Sequence, residues 1–331
     1  MPPITAIPPE ILRDRHRLSS QQINALFGRQ VIEESLEEKA VALGKVAEFL
    51  KVTDALTEAG ISFIPLKGPL LSFRLYGDAT IRYFRDLDIL IDASDIDAVR
   101  DILEADGYRA IERPWPEGTG ARQRLLKYHH DIPFTHPEKQ ITIELHWRLR
   151  HRQWPDVREA DRLVKNNLTS FSFAGRTFQT LNNEMELLYL VIHGGLHHWG
   201  RLKWLVDVHH YLKSQKINRD RFISLSDSFN AGRLVALCNK ILSEYFPGEA
   251  LLPCTVTVPG YMVRFSEMRI KEADYVDLET FRDTLRRLRF SMAVYPGFSY
   301  RLRFVKSIIF DSGLSGRIGR LLMHRSERIA E

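Results

Sequence analysis

Two aspartates stand two positions apart at the start of an apolar run, DLDILI, at residues 86–91. In a β-strand, residues two apart point to the same face of the sheet, so Asp86 and Asp88 would be neighbours. Two carboxylates about 4 Å apart repel by about 1 kcal/mol in water and by roughly 4 kcal/mol at an effective dielectric constant near 20. A divalent cation between them would remove that cost. The alternative interpretation is a strand that begins in solvent, with acids at its mouth.

A third acid lies within a later apolar run. Glu144 stands in the middle of TIELHW, and strand alternation places it on the same face as Thr142 and His146. A carboxylate rarely occupies the centre of a strand without a partner. Three carboxylates on one sheet would form an oxygen-rich site suited to Mg²⁺. Two such ions, about 3.5–4 Å apart, can activate an attacking oxygen and neutralise a transferring phosphoryl group.

The segment IPLKGPLL at residues 64–71 predicts a strand-to-helix turn. Gly68 permits a tight turn, and Pro69 is favoured at the first helical position. The first turn of a helix offers unpaired N–H groups and the positive end of the helix dipole, which together bind phosphate. Lys67 would add a positive charge to such a site. The plainer alternative is an ordinary turn with a surface lysine.

These residues need a sheet and helices to bring them together. The pattern from residue 60 to residue 150 predicts the order β-α-β-α-β-loop-β-β, which is a small mixed sheet with helices. The predicted strands are 61–66, 86–91, 108–112 and two runs on either side of PEK, and the predicted helices are 69–78 and 94–107, with a loop at 114–121. Helical patterns at 20–59 precede this core, and helical patterns at 182–214 and 219–246 follow it. We therefore expect an α+β fold.

The secondary-structure and charge patterns of the sequence predict three segments. They are an N-terminal arm with helices at 1–59, the mixed core at 60–150 and a helical domain with a basic tail at 151–331. Residues 1–18 are rich in proline and then charged, which predicts a loosely held arm. The tail from residue 261 onward interleaves arginine with aromatic residues. This composition also suits nucleic acid, although arginine on the solvated face of a helix is the commoner explanation.

Bulk composition narrows the class of protein. The 331 residues carry a net charge of +5, which mildly favours an anionic partner. The two cysteines, Cys238 and Cys254, provide neither a disulfide framework nor a cysteine zinc site. The sequence shows no signal-peptide pattern and no run of 18 apolar residues, so we expect a soluble cytoplasmic protein with no membrane partner.

Several of these segments together resemble a known fold family. LKG at 66–68, R-x3-DLDILI at 82–91, LEADGY at 103–108 and IELHW at 143–147 are similar to the nucleotidyltransferase fold of the polymerase-beta superfamily. More narrowly, they resemble a bacterial family of uncharacterised nucleotidyltransferases with an LKG turn, an R-x3-D-x-D strand and a later acid-Leu-His-Trp strand. The resemblance covers residues 60–150 well and 197–212 more weakly. It implies a nucleotidyltransferase core at 60–150.

The resemblance implies roles for the residues already described. Gly68 would occupy the turn that holds a triphosphate, Asp86 and Asp88 would bind two metal ions, and Glu144 would be the third acid. Two features depart from the superfamily pattern: proline instead of serine follows Gly68, and the spacing of 18 residues from Gly68 to Asp86 is longer than usual. Lys67 is expected to compensate for the missing serine hydroxyl.

Two arginines flank the aspartate pair. Arg82 fits the family arginine that stands four residues before the first acid, and Arg85 directly precedes that acid. Both are candidates to neutralise phosphate oxygens of a bound nucleotide. The alternative for Arg82 is an ion pair with Asp78, Asp86 or Asp92.

A later helix supplies two more candidates by the same resemblance. Lys203 would contact phosphate, and Asp207 would be the base for an acceptor hydroxyl, in a helical segment that closes over the nucleotide. The alternative is a mutual Lys–Asp pair four residues apart, which contributes a few tenths of a kcal/mol, roughly 0.2–0.5.

The same stretch is rich in histidine. His193 and His197 would share a helix face, but glycine stands where a zinc-protease helix carries its glutamate. Buried histidines beside a helix break at the two glycines after His193 are the plainer expectation. Trp199 and Trp204 would stack on a nucleobase or pack in the core.

Three functional hypotheses follow. The first is a Mg²⁺-dependent nucleotidyltransferase with two bound ions that moves a nucleoside monophosphate from an NTP, with ATP as the expected donor, to a hydroxyl of a small molecule or a peptide. The second keeps the fold but transfers the γ-phosphoryl group, as a kinase does. The third is a binding module without catalysis. The released product distinguishes the first two, since pyrophosphate indicates the first and a nucleoside diphosphate the second.

Overall fold

The computed structural model describes residues 3–111, 116, 118–149, 157–272, 281–295, 297–298 and 300–302. It shows the expected α+β fold, with a small mixed sheet among helices. In the predicted basic tail, residues 273–280 and those from 303 onward lie outside the described residues, as do residues 151–156.

A five-stranded sheet forms the centre of the fold. Its strands are β1 Phe63–Pro65, β2 Asp86–Ile91, β3 Arg109–Ala110, β4 Asp131–His136 and β5 Ile141–His146. Their spatial order is β1-β2-β5-β4-β3. β2 and β5 are parallel, whereas the other neighbouring pairs are antiparallel. The sheet is therefore mixed, as the pattern of residues 60–150 predicts.

Helices surround this sheet along the described chain. After a 3₁₀ turn at Ile4–Ala6, they are α1 Pro9–Asp14, α2 Ser20–Phe27, α3 Leu36–Glu58, α4 Gly68–Tyr76, α5 Ile96–Ala105, α6 Thr119–Tyr128, α7 Val157–Lys165, α8 Asn183–Leu196, α9 Leu202–Ser214, α10 Arg219–Ser228, α11 Gly232–Tyr245, α12 Gly260–Lys271 and α13 Phe281–Val294. A separate hairpin consists of β6 Leu168–Phe173 and β7 Arg176–Leu181.

The two faces of β2 join different hydrophobic clusters. Leu87, Ile89 and Ile91 pack in one cluster with buried residues of α3 and α5. Leu90, on the other face, joins a second cluster that contains most of α8, α9 and α11. Strand alternation puts Asp88 on the Leu90 side. The carboxylate face of the sheet is therefore covered by the helices of the C-terminal half.

The first loop and hairpin of the core differ from the sequence prediction. The predicted loop at 114–121 ends early because α6 begins at Thr119, and the helix continues through residues that the pattern assigns to a strand. Tertiary contacts stabilise this helix: Arg122 of α6 lies 2.8 Å from Asp97, and the indole Nε1–H of Trp147 donates to the Leu126 carbonyl at 3.2 Å. Neither of these contacts can be inferred from the periodicity of the sequence.

The β6–β7 hairpin is a second difference, because the sequence beyond residue 150 predicts helices alone. Its turn is Ala174-Gly175, and both residues have positive φ angles of 48° and 75°. Phe178 of β7 packs against Phe49 at 5.5 Å and Phe63 at 6.4 Å between ring centroids. The hairpin thus belongs to the hydrophobic core on the α3 side of the sheet.

The prediction of a loosely held N-terminal arm is wrong. Leu12 and Leu18 are 0% and 1% exposed. The Arg15 guanidinium donates to the backbone carbonyls of Gly200, Arg269 and Glu272, each at 2.7 Å. These bonds join the arm to α12 and to the loop before α9. The prolines suggest mobility, but the buried leucines and Arg15 decide the outcome.

Among the described residues, none of the helices combines the length and the apolar character that crossing a lipid bilayer requires.

Candidate active site

The parallel pairing of β2 with β5 brings the predicted acids together. Its register places Asp86 opposite Thr142 and Asp88 opposite Glu144. Residues paired across neighbouring strands have their side chains on the same face. Asp88 and Glu144 are therefore adjacent, and Asp86 follows on the same face at the start of β2.

Two cationic or polar donors converge on one oxygen of Asp88. The Lys67 Nζ lies 3.1 Å from Oδ1, and the His146 Nε2 lies 3.2 Å from the same Oδ1. The Asp88 side chain is only 2% exposed. Burial alone would raise the pKa of Asp88, but Lys67 and then His146 outweigh burial and hold that pKa below its ordinary value. Asp88 is thus an ionised, buried carboxylate.

The strand-to-helix turn explains why Lys67 faces inward. Gly68 has a φ of +65°, which glycine adopts without a steric penalty, and α4 begins there with Pro69 in its first turn. The Leu66 N–H donates to the Asp88 carbonyl at 3.1 Å, so the turn lies directly beside β2. The alternative of a surface lysine is wrong, because Lys67 is 9% exposed and forms an ion pair with Asp88.

Glu144 completes an acidic group. Its pKa is raised, first by burial and then by the neighbouring Asp88 and Asp86 charges, against the opposing effect of His146. The His146 Nε2 lies 3.6 Å from Glu144 Oε2. Ligand atoms of Asp88, Glu144 and His146 all lie within 4.8 Å of one another. Burial is the main cause of the raised pKa, and the two neighbouring aspartate charges add to it.

His146 is a site residue that the sequence pattern does not identify. Burial would lower its pKa, but the hydrogen bond to Asp88 and the nearby Glu144 carboxylate outweigh this effect and raise the pKa to about 10. The signal in the sequence is its position two residues after Glu144, which predicts the shared face but not the contact with Asp88.

The donors fit a divalent cation. Asp86, Asp88 and Glu144 offer carboxylate oxygens, which are the ligands that Mg²⁺ prefers. His146 lies in the same cluster, but its raised pKa makes the imidazole a charged donor to these carboxylates and not a metal ligand. The elevated pKa of Glu144 is the shift that a nearby bound cation would reverse. These residues would therefore hold such an ion.

Arg82 and Asp207 form a buried pair that the sequence does not predict. The Arg82 Nε and Nη2 donate to the Asp207 Oδ1 and Oδ2, each at 2.9 Å, and both side chains are at most 3% exposed. Of the partners considered for Arg82, Asp78 instead accepts hydrogen bonds from Thr80, and Asp92 pairs with Lys165. The pair joins the loop before β2 to α9.

Because of this pairing, Lys203 and Asp207 of α9 have different surroundings. Both oxygens of Asp207 accept hydrogen bonds from Arg82. The partner of Asp207 is therefore Arg82 and not Lys203, which is its partner in the alternative of a helix pair. Lys203 instead places its ammonium 5.6 Å from the Tyr83 ring centroid. Burial first and Arg82 second lower the pKa of Lys203 to about 7, although Asp86 and Asp207 oppose this effect.

Lys45 is another residue that the sequence pattern does not reveal. Its Nζ donates to the Phe84 carbonyl at 2.7 Å and lies 5.4 Å from the Tyr83 ring centroid. Burial lowers the pKa of Lys45, whereas Asp86 raises it and Arg85 lowers it. Arg85 itself is exposed. Lys45 and Lys203 thus both contact Tyr83 near the start of β2.

A cavity of about 350 Å³ lies between α3 and the loop before β2. Its lining includes Ser19, Ser35, Glu38, Lys45, Arg82, Tyr83 and Phe84. Because Tyr83 also contacts Lys203, the cavity is next to the cationic side chains around Asp86. It offers space for part of a substrate.

The histidine-rich helix packs without forming a zinc group. His193 and His197 lie 4.7 Å apart, and Trp204 stacks on His197 at 4.9 Å between ring centroids. Burial and then Lys67 lower the pKa of His193, so this imidazole is neutral. Among the described residues, the cluster of Asp88, Glu144 and His146 is the one group with metal-ligand spacing, and neither helix histidine belongs to it.

The expected helix break after His193 is also wrong. α8 continues to Leu196, and Gly194 lies within it. A Cβ at Gly194 would lie 2.3 Å from the Trp199 ring, so glycine is needed for close packing there. Trp199 is 0% exposed and therefore packs in the core; it is not available to stack on a nucleobase.

The fold and the site together define a protein of the nucleotidyltransferase class: a mixed sheet carries paired acids beside a glycine-bounded helix start. A model of the family described as uncharacterised nucleotidyltransferase matches residues 17–247, and the chain belongs to that family. It is an enzyme of this class. The match extends across the boundaries predicted at residues 59 and 150, so it includes α2, α3 and the helices from α8 to α11.

Three solved structures have a distant likeness to this chain. The lincomycin-bound lincosamide antibiotic adenylyltransferase LnuA is 17% identical, with a TM-score of 0.33, over 43% of this chain and 83% of that one. ANT(2")-Ia in complex with adenylyl-2"-tobramycin is 15% identical, with a TM-score of 0.39, over 56% and 95% of the two chains. An antigenic nucleotidyltransferase-like protein from Paracoccidioides brasiliensis is 14% identical, with a TM-score of 0.39, over 62% and 88%. We base no functional conclusion on these likenesses.

A search of curated proteins found no match to this chain.

Proposed function

We propose that this enzyme transfers a nucleoside monophosphate from a nucleoside triphosphate to a hydroxyl of a small-molecule or peptide acceptor. ATP is the expected donor, and a divalent ion, Mg²⁺ for preference, is the expected cofactor. The observation that carries the proposal is the register of β2 and β5, which sets Asp88 beside Glu144 with Asp86 on the same face. The start of α4 lies next to these acids, because Lys67 contacts Asp88.

In the proposed reaction, the acceptor oxygen attacks the α-phosphorus of the triphosphate. A new P–O bond forms, the bond from the α-phosphorus to the oxygen that bridges to the β-phosphorus breaks, and pyrophosphate leaves. The acceptor hydroxyl loses its proton to solvent. A bound Mg²⁺ supplies neutralisation of the transferring group and lowers the pKa of the acceptor hydroxyl. Asp86, Asp88 and Glu144 are the residues that would hold it.

The other polar groups are suited to binding the triphosphate. The backbone N–H groups at the start of α4 and the positive end of its dipole favour phosphate there. Lys203 is partly exposed, and its ammonium has no carboxylate as close as 4 Å in the described residues, so it can turn to a phosphate oxygen. Arg85 is exposed beside Asp86 and can do the same. Lys45 lines the cavity, where we place part of the acceptor.

Asp207 and Arg82 receive a different role in this proposal. Both oxygens of Asp207 accept from Arg82 in the interior, which does not suit a base that must reach an acceptor hydroxyl. The pair instead positions the loop that carries Tyr83 against α9, which carries Lys203. Arg82 then acts on the nucleotide through Lys203 and Tyr83 and makes no phosphate contact.

Product analysis of carboxylate variants tests the proposal. The purified protein is incubated with each NTP, Mg²⁺ and a mixture of hydroxyl-bearing metabolites, and pyrophosphate release is followed together with mass spectrometry of the products. Asp86→Asn, Asp88→Asn and Glu144→Gln should each reduce turnover by about 100-fold or more, since each loses charge that stabilises the transition state. Chelation of Mg²⁺ should abolish it.

The matched control is Asp101→Asn, which makes the same change on an exposed aspartate of α5. Its turnover should equal that of the wild type. Release of a nucleoside diphosphate in place of pyrophosphate would instead identify a kinase. Undiminished turnover in the double variant Asp86→Asn/Asp88→Asn would rule out the proposed site, and failure of every NTP to bind would leave a non-catalytic binding module.

A further inference from the structure

We propose that the Lys67 ammonium permanently occupies the position beside Asp88 that one ion of a two-ion carboxylate site would take, so that this enzyme binds one divalent ion at Asp86, Asp88 and Glu144 instead of two. The inference rests on the proposed function, because it assumes that these acids hold a metal ion. It goes further in fixing the number of ions and in giving the LKG lysine a role other than phosphate contact.

The position of the Lys67 ammonium is the first argument. The side chain is 9% exposed, and its Nζ lies 3.1 Å from Asp88 Oδ1. The aromatic ring of Tyr189, on α8, lies 5.8 Å from the same nitrogen. The backbone direction is set by the turn at Gly68 and the start of α4. Lys67 is therefore held between a strand, a turn and a helix, and it is not a flexible surface side chain.

The second argument concerns the oxygens of Asp88. The Lys67 Nζ and the His146 Nε2 lie 3.1 and 3.2 Å from Oδ1, so a metal ion at this oxygen would have to displace one of them. A carboxylate that bridges two metal ions through both of its oxygens offers one oxygen to each ion. Asp88 has only Oδ2 left for a metal. Within the described residues, Oδ2 accepts no hydrogen bond, and neither does any side-chain oxygen of Asp86.

The third argument is the distribution of charge. Within the described residues, Lys67 forms an ion pair with Asp88 and with neither Asp86 nor Glu144. One divalent ion bound to Asp86, Glu144 and Oδ2 of Asp88 would leave that ion pair in place. A second divalent ion beside Oδ1 would have to displace the buried ammonium, which would then lose its carboxylate partner inside the protein.

Electron paramagnetic resonance with Mn²⁺ on the nucleotide-free protein tests the number of ions without any turnover. A single bound ion gives a mononuclear six-line signal, whereas two ions about 3.5–4 Å apart are spin-coupled and give a different spectrum. We expect one Mn²⁺ per chain and no spin coupling in the wild type, even at saturating Mn²⁺. We expect Lys67→Met, which keeps the length of the side chain but removes its charge, to bind a second, coupled ion.

Lys203→Met is the matched control, since it removes another partly buried lysine of the site that does not contact Asp88; it should bind one ion. A coupled pair in the wild type would overturn the inference while leaving the proposed function intact, and so would a single ion in a folded Lys67→Met protein. If the Lys67 variant does not fold, the wild-type spectrum alone decides. Absence of any Mn²⁺ bound to the wild type, together with undiminished pyrophosphate release under chelation, would instead contradict the metal dependence itself.

Discussion

At the scale of single residues, Lys203 carries the clearest pH dependence. Burial, with Arg82 as the second cause, lowers its pKa to about 7 in the folded protein, whereas an unfolded lysine has a pKa near 10.4. Between these values the unfolded chain binds one proton more than the folded chain, so this group makes the protein more stable as pH rises. A phosphate beside the ammonium would favour the charged form and reverse the shift.

The prediction is a change in the slope of stability with pH. In urea unfolding at pH 7.5, 8.5 and 9.5, Lys203→Met should show a smaller increase of the free energy of unfolding with pH than the wild type, by at most about 1.4 kcal/mol per pH unit. Lys213→Met, which changes an exposed lysine of the same helix, should keep the wild-type slope. Parallel slopes for Lys203→Met and the wild type would show that Lys203 keeps its ordinary pKa.

The sequence can predict the acids but not their partners. Strand alternation predicts that Asp86 and Asp88 share a face, and the family resemblance adds Glu144, but the register of β2 with β5 is what sets Glu144 beside Asp88. The contact of Lys67 with Asp88 depends on the backbone angles of a turn, and that of Arg82 with Asp207 joins residues 125 positions apart. Neither follows from local patterns, because both depend on how α4 and α9 pack against the sheet.

At the scale of elements, two helix glycines, Gly194 and Gly44, differ in whether there is space for a side chain. Gly194 in α8 faces the Trp199 ring, whereas a methyl group added at Gly44 in α3 would meet no atom within 4 Å. Gly194→Ala should therefore destabilise the protein by about 1–3 kcal/mol through overpacking. Gly44→Ala should stabilise it by roughly 0.5–1 kcal/mol, since alanine loses less conformational freedom in a helix.

Thermal or urea unfolding of the two alanine variants checks this pair. The two substitutions are chemically identical, so opposite signs would isolate the packing of Trp199 from helix propensity. A stabilised Gly194→Ala protein would mean that the loop after α8 can move away from the helix. The sequence alone favours a helix break at this glycine, because it shows the residue type without the ring that packs on it.

Hairpin β6–β7 illustrates another limit of the sequence. The alternation in LTSFSF and RTFQTL and the Ala174-Gly175 turn are both visible, but the neighbouring helical patterns dominate the interpretation of that half of the chain. What fixes the hairpin is tertiary contact, since Phe178 reaches Phe49 of α3 and Phe63 of β1. Elements that are fixed by packing against residues distant in sequence are therefore the ones that single-sequence patterns miss.

At the scale of the whole molecule, the Arg82–Asp207 pair joins the sheet core to the helices that cover it. Asp207→Asn should cost about 3–5 kcal/mol, because it leaves a buried guanidinium without its counter-charge. The double variant Arg82→Met/Asp207→Leu should recover much of that loss, since neither member of the pair then remains charged.

Urea unfolding of Asp207→Asn, of the single variants Arg82→Met and Asp207→Leu and of the double variant forms the test, and Asp227→Asn, at an exposed position of α10, is the control. Additive effects of the two single substitutions would show that the residues do not interact. The cycle also reports on function: loss of the pair should raise the KM for NTP more than it changes the Mn²⁺ spectrum, since Lys203 depends on α9 and the carboxylates do not.

The three carbonyls held by Arg15 connect distant parts of the chain. One of them belongs to Gly200, two residues before α9 begins, and α9 carries Lys203. A protease cut or a fused tag that pulled the N-terminal segment away would free the stretch that leads into that helix. Nucleotide affinity would then report on events at the opposite end of the polypeptide, and preparations with an intact amino terminus are the ones in which substrates should be sought.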